Sequence, residues 1–155
     1  MDAPNKALEI KGAITAVIAF GTALFGWVGW LVIVWIFAMF LDYLSGSFAA
    51  LKNGEWQSSV ARQGLWHKLG SIFAVLVAAL CDIAVTVVIG QLGAELDYPG
   101  FLTPIVCLWY IFTELGSITE NVGKLGADIP AWLLKIIHKL RGKVDDAGED
   151  MSNKE

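Results

Sequence analysis

The sequence predicts an all-α integral membrane helical protein with three to four transmembrane segments and a C-terminal amphipathic helix. Three observations carry that prediction. Of its 155 residues, 56% are hydrophobic and 17% charged, at a mean hydropathy of +0.61, which is more apolar material than one soluble core of this size can hold. No Asp, Glu, Lys or Arg occurs from Gly12 through Leu41, and helices of soluble domains rarely run so far uncharged. Stretches such as VGWLVIVWIFAMFL (28–41) are apolar on every helical face, as suits a helix surrounded by lipid.

Residues 1–11 form a polar N-terminal lead carrying Lys6 and Lys11. The apolar run behind it exceeds the roughly 7–15 residues of a cleavable signal and continues unbroken through GWVGWLVIVW, so it is expected to be retained. A spanning helix takes about 20 residues, which makes residues 12–41 long for one crossing and short for two. The natural break is FGWVGW (25–30), where Gly26 and Gly29 loosen the helix and Trp27 and Trp30 favour the membrane interface. Two segments, 12–25 and 28–44, then form a tight hairpin in which the first spans, dips in or lies at the interface. One long tilted helix is the alternative.

A basic connection, 52–69, follows, with Lys52, Arg62, His67 and Lys68 against Glu55. Residues 70–92 make the clearest single span, interrupted only by Asp82. The loop GAELDYPG (93–100) carries Glu95 and Asp97 and no base, and Pro99 and Pro104 open a last segment, 101–118, that closes on Glu114, Ser117 and Glu120. The membrane domain is thus 12–118. Every Lys and Arg falls in the lead, in the 52–69 connection or from Lys124 onward. The positive-inside rule then favours four crossings, with both termini and the basic connection cytoplasmic.

Residues 119–143 form a cytoplasmic or interfacial amphipathic region. Within it, Asp128 near the cap and Pro130 in the first turn start a helix over 129–143. Ile129, Leu133, Ile136, Ile137 and Leu140 share one face, and Lys135, His138, Lys139 and Arg141 much of the other. Lys135, Lys139 and Arg141 fit an anionic inner leaflet; packing on the ends of neighbouring helices is the competing reading. The acidic tail, 144–155, lacks apolar periodicity and is expected to be disordered.

Chemistry is sought first among acids in apolar runs, because a charge at the centre of a membrane helix costs roughly 2.5–3.5 kcal/mol. Asp82, thirteenth in its span, lies near the midplane; either it is protonated there, or it faces a helix interface or a water-filled lumen, the readings being a polar lining exposed on oligomerisation and a neutral acid hydrogen-bonded between helices. Asp42 and Glu114 lie near segment ends and can reach water or cap. His67 and His138 have no ligand partners nearby, Cys81 and Cys107 sit in apolar runs, and no triad, zinc spacing or phosphate loop is present. No catalytic site, metal or cofactor is therefore expected, and the net charge of −4, concentrated in acids at the two ends, marks no nucleic-acid surface. Gly12 with Ala16, Ala19 with Ala23, and Ala74 with Ala78 are small pairs that let helices approach closely. Most of the seven tryptophans flank the runs as anchors; Trp35 and Trp109 lie deeper.

Three strings, LDYLSG (41–46), GLWHKLG (64–70) and SITENVGKLGADIPAWLLKII (117–137), give a resemblance in their order and placement. From about Phe20 to Ile137 the chain resembles the toxin-secretion/phage-lysis holins of Gram-positive phages and clostridia. On matching positions the resemblance carries Asp42, Tyr43 and Gly46, then Gly64, Lys68 and Gly70, then Glu120, Asn121, Gly126 and Pro130, as structural and assembly positions. It implies a multi-pass protein of the bacterial cytoplasmic membrane that forms homo-oligomers and opens lesions passing an endolysin or a toxin. The long glycine-broken first run and the extended acidic tail depart from the pattern. Met39 lies inside a span, so no internal second start is visible. Readings from other classes are a small ion channel or transporter subunit using Asp82 and Glu114, and a membrane-anchored scaffold.

Overall fold

A computed structural model describes residues 3–93 and 100–153. They form five helices and, among the described residues, no strand: α1 (Ala3–Phe25), α2 (Trp27–Lys52), α3 (Ser58–Leu92), α4 (Leu102–Lys124) and α5 (Ala131–Ser152). Three of them are long and apolar enough to cross a membrane: α2, α3 from Arg62 to Leu92, and α4.

The expected break in the first apolar run falls at Gly26. Its φ of 57° and ψ of −135° end α1 and start α2 one residue later, in a region of backbone space that side chains with a Cβ rarely enter. Gly29, by contrast, stays inside α2 and is buried there. Among the described residues, helix α1 packs on no helix except α2. Its side chains described from Leu8 to Phe20 are exposed apart from Ile18, so the small pair Gly12 and Ala16 meets no other helix within one chain.

Helices α2, α3 and α4 form the core. Trp35 and Met39 of α2, Val75 of α3 and Cys107 and Ile111 of α4 are buried together, and Tyr110 stacks obliquely on Trp35 at 5.8 Å. Small residues set the close approach: Ala38, Ala49 and Ala78 are buried. Helix α3 buries a narrow stripe, Ser71, Val75, Ala78 and Asp82, at alternating spacings of three and four residues. Around that stripe Phe73, Leu76, Val77, Leu80, Ile83, Val87 and Val88 stay more than half or about half exposed. In water such a surface would be untenable; in lipid it is the expected outside of a spanning helix.

Several boundaries differ from the sequence reading. Residues 58–69, placed in the basic connection, are the first turns of α3, leaving 53–57 as the link. The stretch has no proline, and Arg62 and His67 simply project outward, so polarity there marks an aqueous level and not a break in the helix. Helix α4 continues to Lys124 and ends on Gly126, whose φ of 89° lets Ala127 N–H reach the Val122 carbonyl and Gly126 N–H the Gly123 carbonyl. Pro130 takes the cap position of α5 in place of the first turn, and Asp128 makes no cap bond. Helix α5 then runs through Ser152, where an unstructured tail was expected from 144 on, because its polar half finds partners on α4. The acidic loop with Glu95, Asp97 and Pro99 lies outside the described residues.

Candidate functional site

Two polar clasps tie α3 to its neighbours. Fourteen residues separate Lys68 from Asp82 on α3, a distance of about 21 Å along the helix.

The first clasp joins the three strings on which the resemblance rests. Lys68 of GLWHKLG donates to Asp42 of LDYLSG at 2.9 Å and to Glu114 of α4 at 2.5 Å. Asn121, from the third string, donates to Asp42 Oδ1 at 3.1 Å and to Ser45 Oγ at 3.3 Å. Gly46 makes room for this, since a Cβ there would meet Asn121 Nδ2 at 3.3 Å. Beneath the cluster, Ser71 Oγ donates to the Lys68 carbonyl at 2.8 Å and touches Met39 Sδ. One ammonium thus serves two carboxylates on two other helices. Taking charges out of water is costly, and an ion pair survives it only when hydrogen bonds complete the site, as Asn121 does here for Asp42.

Two open clefts of about 630 and 730 Å³ flank this clasp, and Asp42 and Lys68 line both. The first includes Tyr43, Trp56, Asn121 and Lys124; the second includes Trp66, His67, Trp109 and Ser117. Gly64 lines both clefts and Gly70 the second, without close contacts of their own. Glu120 is exposed. Lys52 Nζ donates to the Leu125 carbonyl beside Gly126, so the end of α2, the start of α3 and the end of α4 lie at one end of the bundle.

The second clasp is Asp82, only 8% exposed. Its Oδ1 accepts the Leu102 N–H at 3.1 Å, and its Oδ2 accepts the Thr103 N–H at 2.8 Å and the Thr103 hydroxyl at 2.6 Å. These are the free N–H groups of the first turn of α4, which have no partner within their own helix. Pro104 has no N–H to satisfy, and Ile105 begins the helical ladder by donating to Phe101. The Leu102 and Thr103 donors are therefore accounted for, and the carboxylate sits at the positive end of the α4 dipole. Within one chain Asp82 thus joins α3 to the start of α4.

Sequence reasoning singled out Asp42, Lys68, Glu114, Gly46 and Asn121 without knowing that they meet. It missed Ser45 and Thr103. Ser45 had a signal, three residues after Asp42 in a helix; Thr103 had none beyond its place before Pro104. Trp109 also proved polar in its contacts: its Nε1 donates to Asp145, and Arg141 lies 4.4 Å from its ring centre. Trp35, the other deep tryptophan, is a core residue whose indole N–H has no protein partner. Among the described residues no group of three His, Cys, Asp or Glu could hold a metal, and both cysteines are free.

A bundle of three membrane-length helices with a shared apolar core, tied by polar contacts, belongs to the class of small helical membrane proteins. The particular family follows from comparison: a profile of the bacteriophage holin family matches residues 19–142, and the chain belongs to that family, which is not one of enzymes. A probable holin of Bacillus phage phi105 is 31% identical over 109 residues, covering 70% of this chain and 73% of the relative. An uncharacterised protein of Halalkalibacterium halodurans is 32% identical over 102 residues, covering 66% and 71%. An uncharacterised protein from the nagH 3′ region of Clostridium perfringens is 32% identical over 133 residues, covering 82% and 91%. No solved structure matches the chain.

Proposed function

We propose that this holin-family protein accumulates in the bacterial cytoplasmic membrane and then self-associates into lesions that release an endolysin or a toxin. The observation that carries the proposal is α3. It is held to its own chain by a narrow stripe between two clasps, while the rest of its spanning surface is apolar and uncovered. A helix bound that way exchanges lipid neighbours for a second copy without unfolding, since lipid and apolar side chains compete on nearly equal terms and packing decides.

The positive-inside rule, together with the gathering of Lys52, Lys68 and Lys124 at one end of the bundle, supports a cytoplasmic location for that end. If α1 crosses as well, the N-terminus is cytoplasmic, while α5, packed back along α4 from that end, leads away from it. Lys135 and Lys139, exposed on α5, fit the anionic inner leaflet. The fixed-pathway channel has weaker support, because Asp82 and Glu114 are both engaged by protein donors.

Induced expression in a bacterial host tests the proposal. Abrupt loss of membrane potential, together with escape of a co-expressed folded cytoplasmic enzyme, is the expected result. Ion flux without protein escape would replace the lesion with a channel, and no membrane effect would leave only a scaffold.

A further inference from the structure

The contacts of α5 fix its register on α4. Ile137 packs against Gly116, Arg141 lies over Trp109, and Asp145 accepts from the Trp109 indole. Rising numbers on α5 meet falling numbers on α4, so the two helices run antiparallel. Trp109 lies between Glu114, at the Lys68 clasp, and Thr103, at the Asp82 clasp. The part of α5 from Arg141 onward therefore lies at the same depth as the stretch of α3 that is apolar from one clasp to the other, with α4 as its contact.

That part of α5 carries Arg141, Lys143, Asp145, Asp146, Glu149 and Asp150, and α5 is not among the helices apolar enough to span. Hydrocarbon does not admit such a face. Yet the polar half is fitted to α4. The half-buried positions Leu134, Arg141, Val144, Gly148 and Met151, with buried Ile137 among them, follow one another at three- or four-residue steps along nearly the whole helix. The exposed apolar strip of α5, by contrast, stops after Trp132, Ile136 and Leu140. The seam that binds α4 thus continues where the surface that could touch lipid ends, and the outer face beyond it, Lys143, Asp146, Glu149 and Asp150, is exposed.

We infer that the α4–α5 pair is the water-facing wall of the assembled lesion: α5 stays docked on α4, and its charged outer face lines the aqueous passage while α3 faces lipid and neighbouring copies. This rests on the lesion reading above and adds which side of the molecule meets the passage. A helix with six charges at spanning depth needs water on its outer side, and a lesion wide enough for a folded protein supplies it.

The test uses the full chain in vesicles, with Cys81 and Cys107 replaced by Ala and single cysteines carrying an environment-sensitive fluorophore. Asp146→Cys and Glu149→Cys report the outer face of α5, and Leu76→Cys and Leu80→Cys that of α3. In lesion-forming vesicles the α5 probes are expected to be quenched by aqueous iodide and the α3 probes by brominated acyl chains. A second variant, Gly116→Cys with Ile137→Cys, is expected to cross-link on oxidation and still release entrapped dye within about twofold of its reduced form. Three results would overturn the inference: α5 probes quenched by brominated chains, no cross-link in lesion-forming vesicles, or an oxidised form whose release falls about tenfold and returns on reduction. If the cysteine-free parent, with wild-type chain alongside, releases nothing, the lesion reading fails; quenching and cross-linking then still decide separately whether α5 is docked and in water.

Discussion

The Lys68 clasp and the Asp82 clasp both hold α3 to α4, and they do so with opposite materials. At the first, side chains from three helices meet, one ammonium between two carboxylates with an asparagine completing the set, and open clefts on either side admit water. At the second, one buried carboxylate takes the backbone donors of a helix start. The difference teaches where each is vulnerable. The first is adjustable and screened, because its partners are flexible side chains near water. The second is fixed, because backbone N–H groups in an apolar setting have nowhere else to turn.

The largest effect is expected at the fixed clasp. Asp82→Ala strands the Leu102 and Thr103 N–H groups and should cost about 4 kcal/mol in a micelle unfolding titration, with faster amide exchange at those two residues. Asp82→Asn keeps one acceptor and should cost about half as much. Equal stability of Asp82→Ala and wild type would dissolve the comparison.

Lys68→Met leaves Asp42 and Glu114 facing one another without a cation and should cost about 2 kcal/mol, less than a fully buried pair because the three side chains are 10–19% exposed. Adding Asp42→Asn and Glu114→Gln should recover more than half of that loss, a non-additivity that marks a shared network. Unfolding titrations should also show the Lys68 contribution shrinking in about 1 M salt while that of Asp82 holds.

Thr103→Val removes one hydroxyl bond to Asp82 and should cost about 1 kcal/mol in the same titration, leaving amide protection at Leu102 in place. Gly46→Ala should have the smallest effect, under about 1 kcal/mol, because the 3.3 Å approach to Asn121 asks for a shift of only a few tenths of an ångström. A weakened Asn121–Asp42 bond, seen as a moved side-chain amide resonance of Asn121, would show that the shift occurs.

The two clasps also differ in how visible they are in the sequence. Asp42, Lys68 and Glu114 stand out as charges at the ends of apolar runs, and only their convergence was hidden, since sequence spacing says nothing of which helices pack. Asp82 stood out too, but its partners are main-chain groups that every residue possesses. No residue pattern distinguishes a helix start that needs a carboxylate from one that does not. Gly26 was legible because a glycine beside an interface-favouring tryptophan, Trp27, in an uncharged run leaves few other uses for it. The first turns of α3 and the part of α5 beyond residue 143 were not legible, for one reason: Arg62, His67, Lys68, Asp145 and Asp146 make those segments polar, and polarity was equated with irregular chain. In both places the charged residues either project from a helix or find partners on α4.

The central claim is that this chain opens lesions large enough for folded protein. The direct measurement is release from vesicles loaded with both a small dye and a folded enzyme, followed as protein density in the membrane rises. Dye and enzyme escaping together above a threshold density is the predicted result. Dye escaping alone at every density, with the enzyme retained, would contradict it.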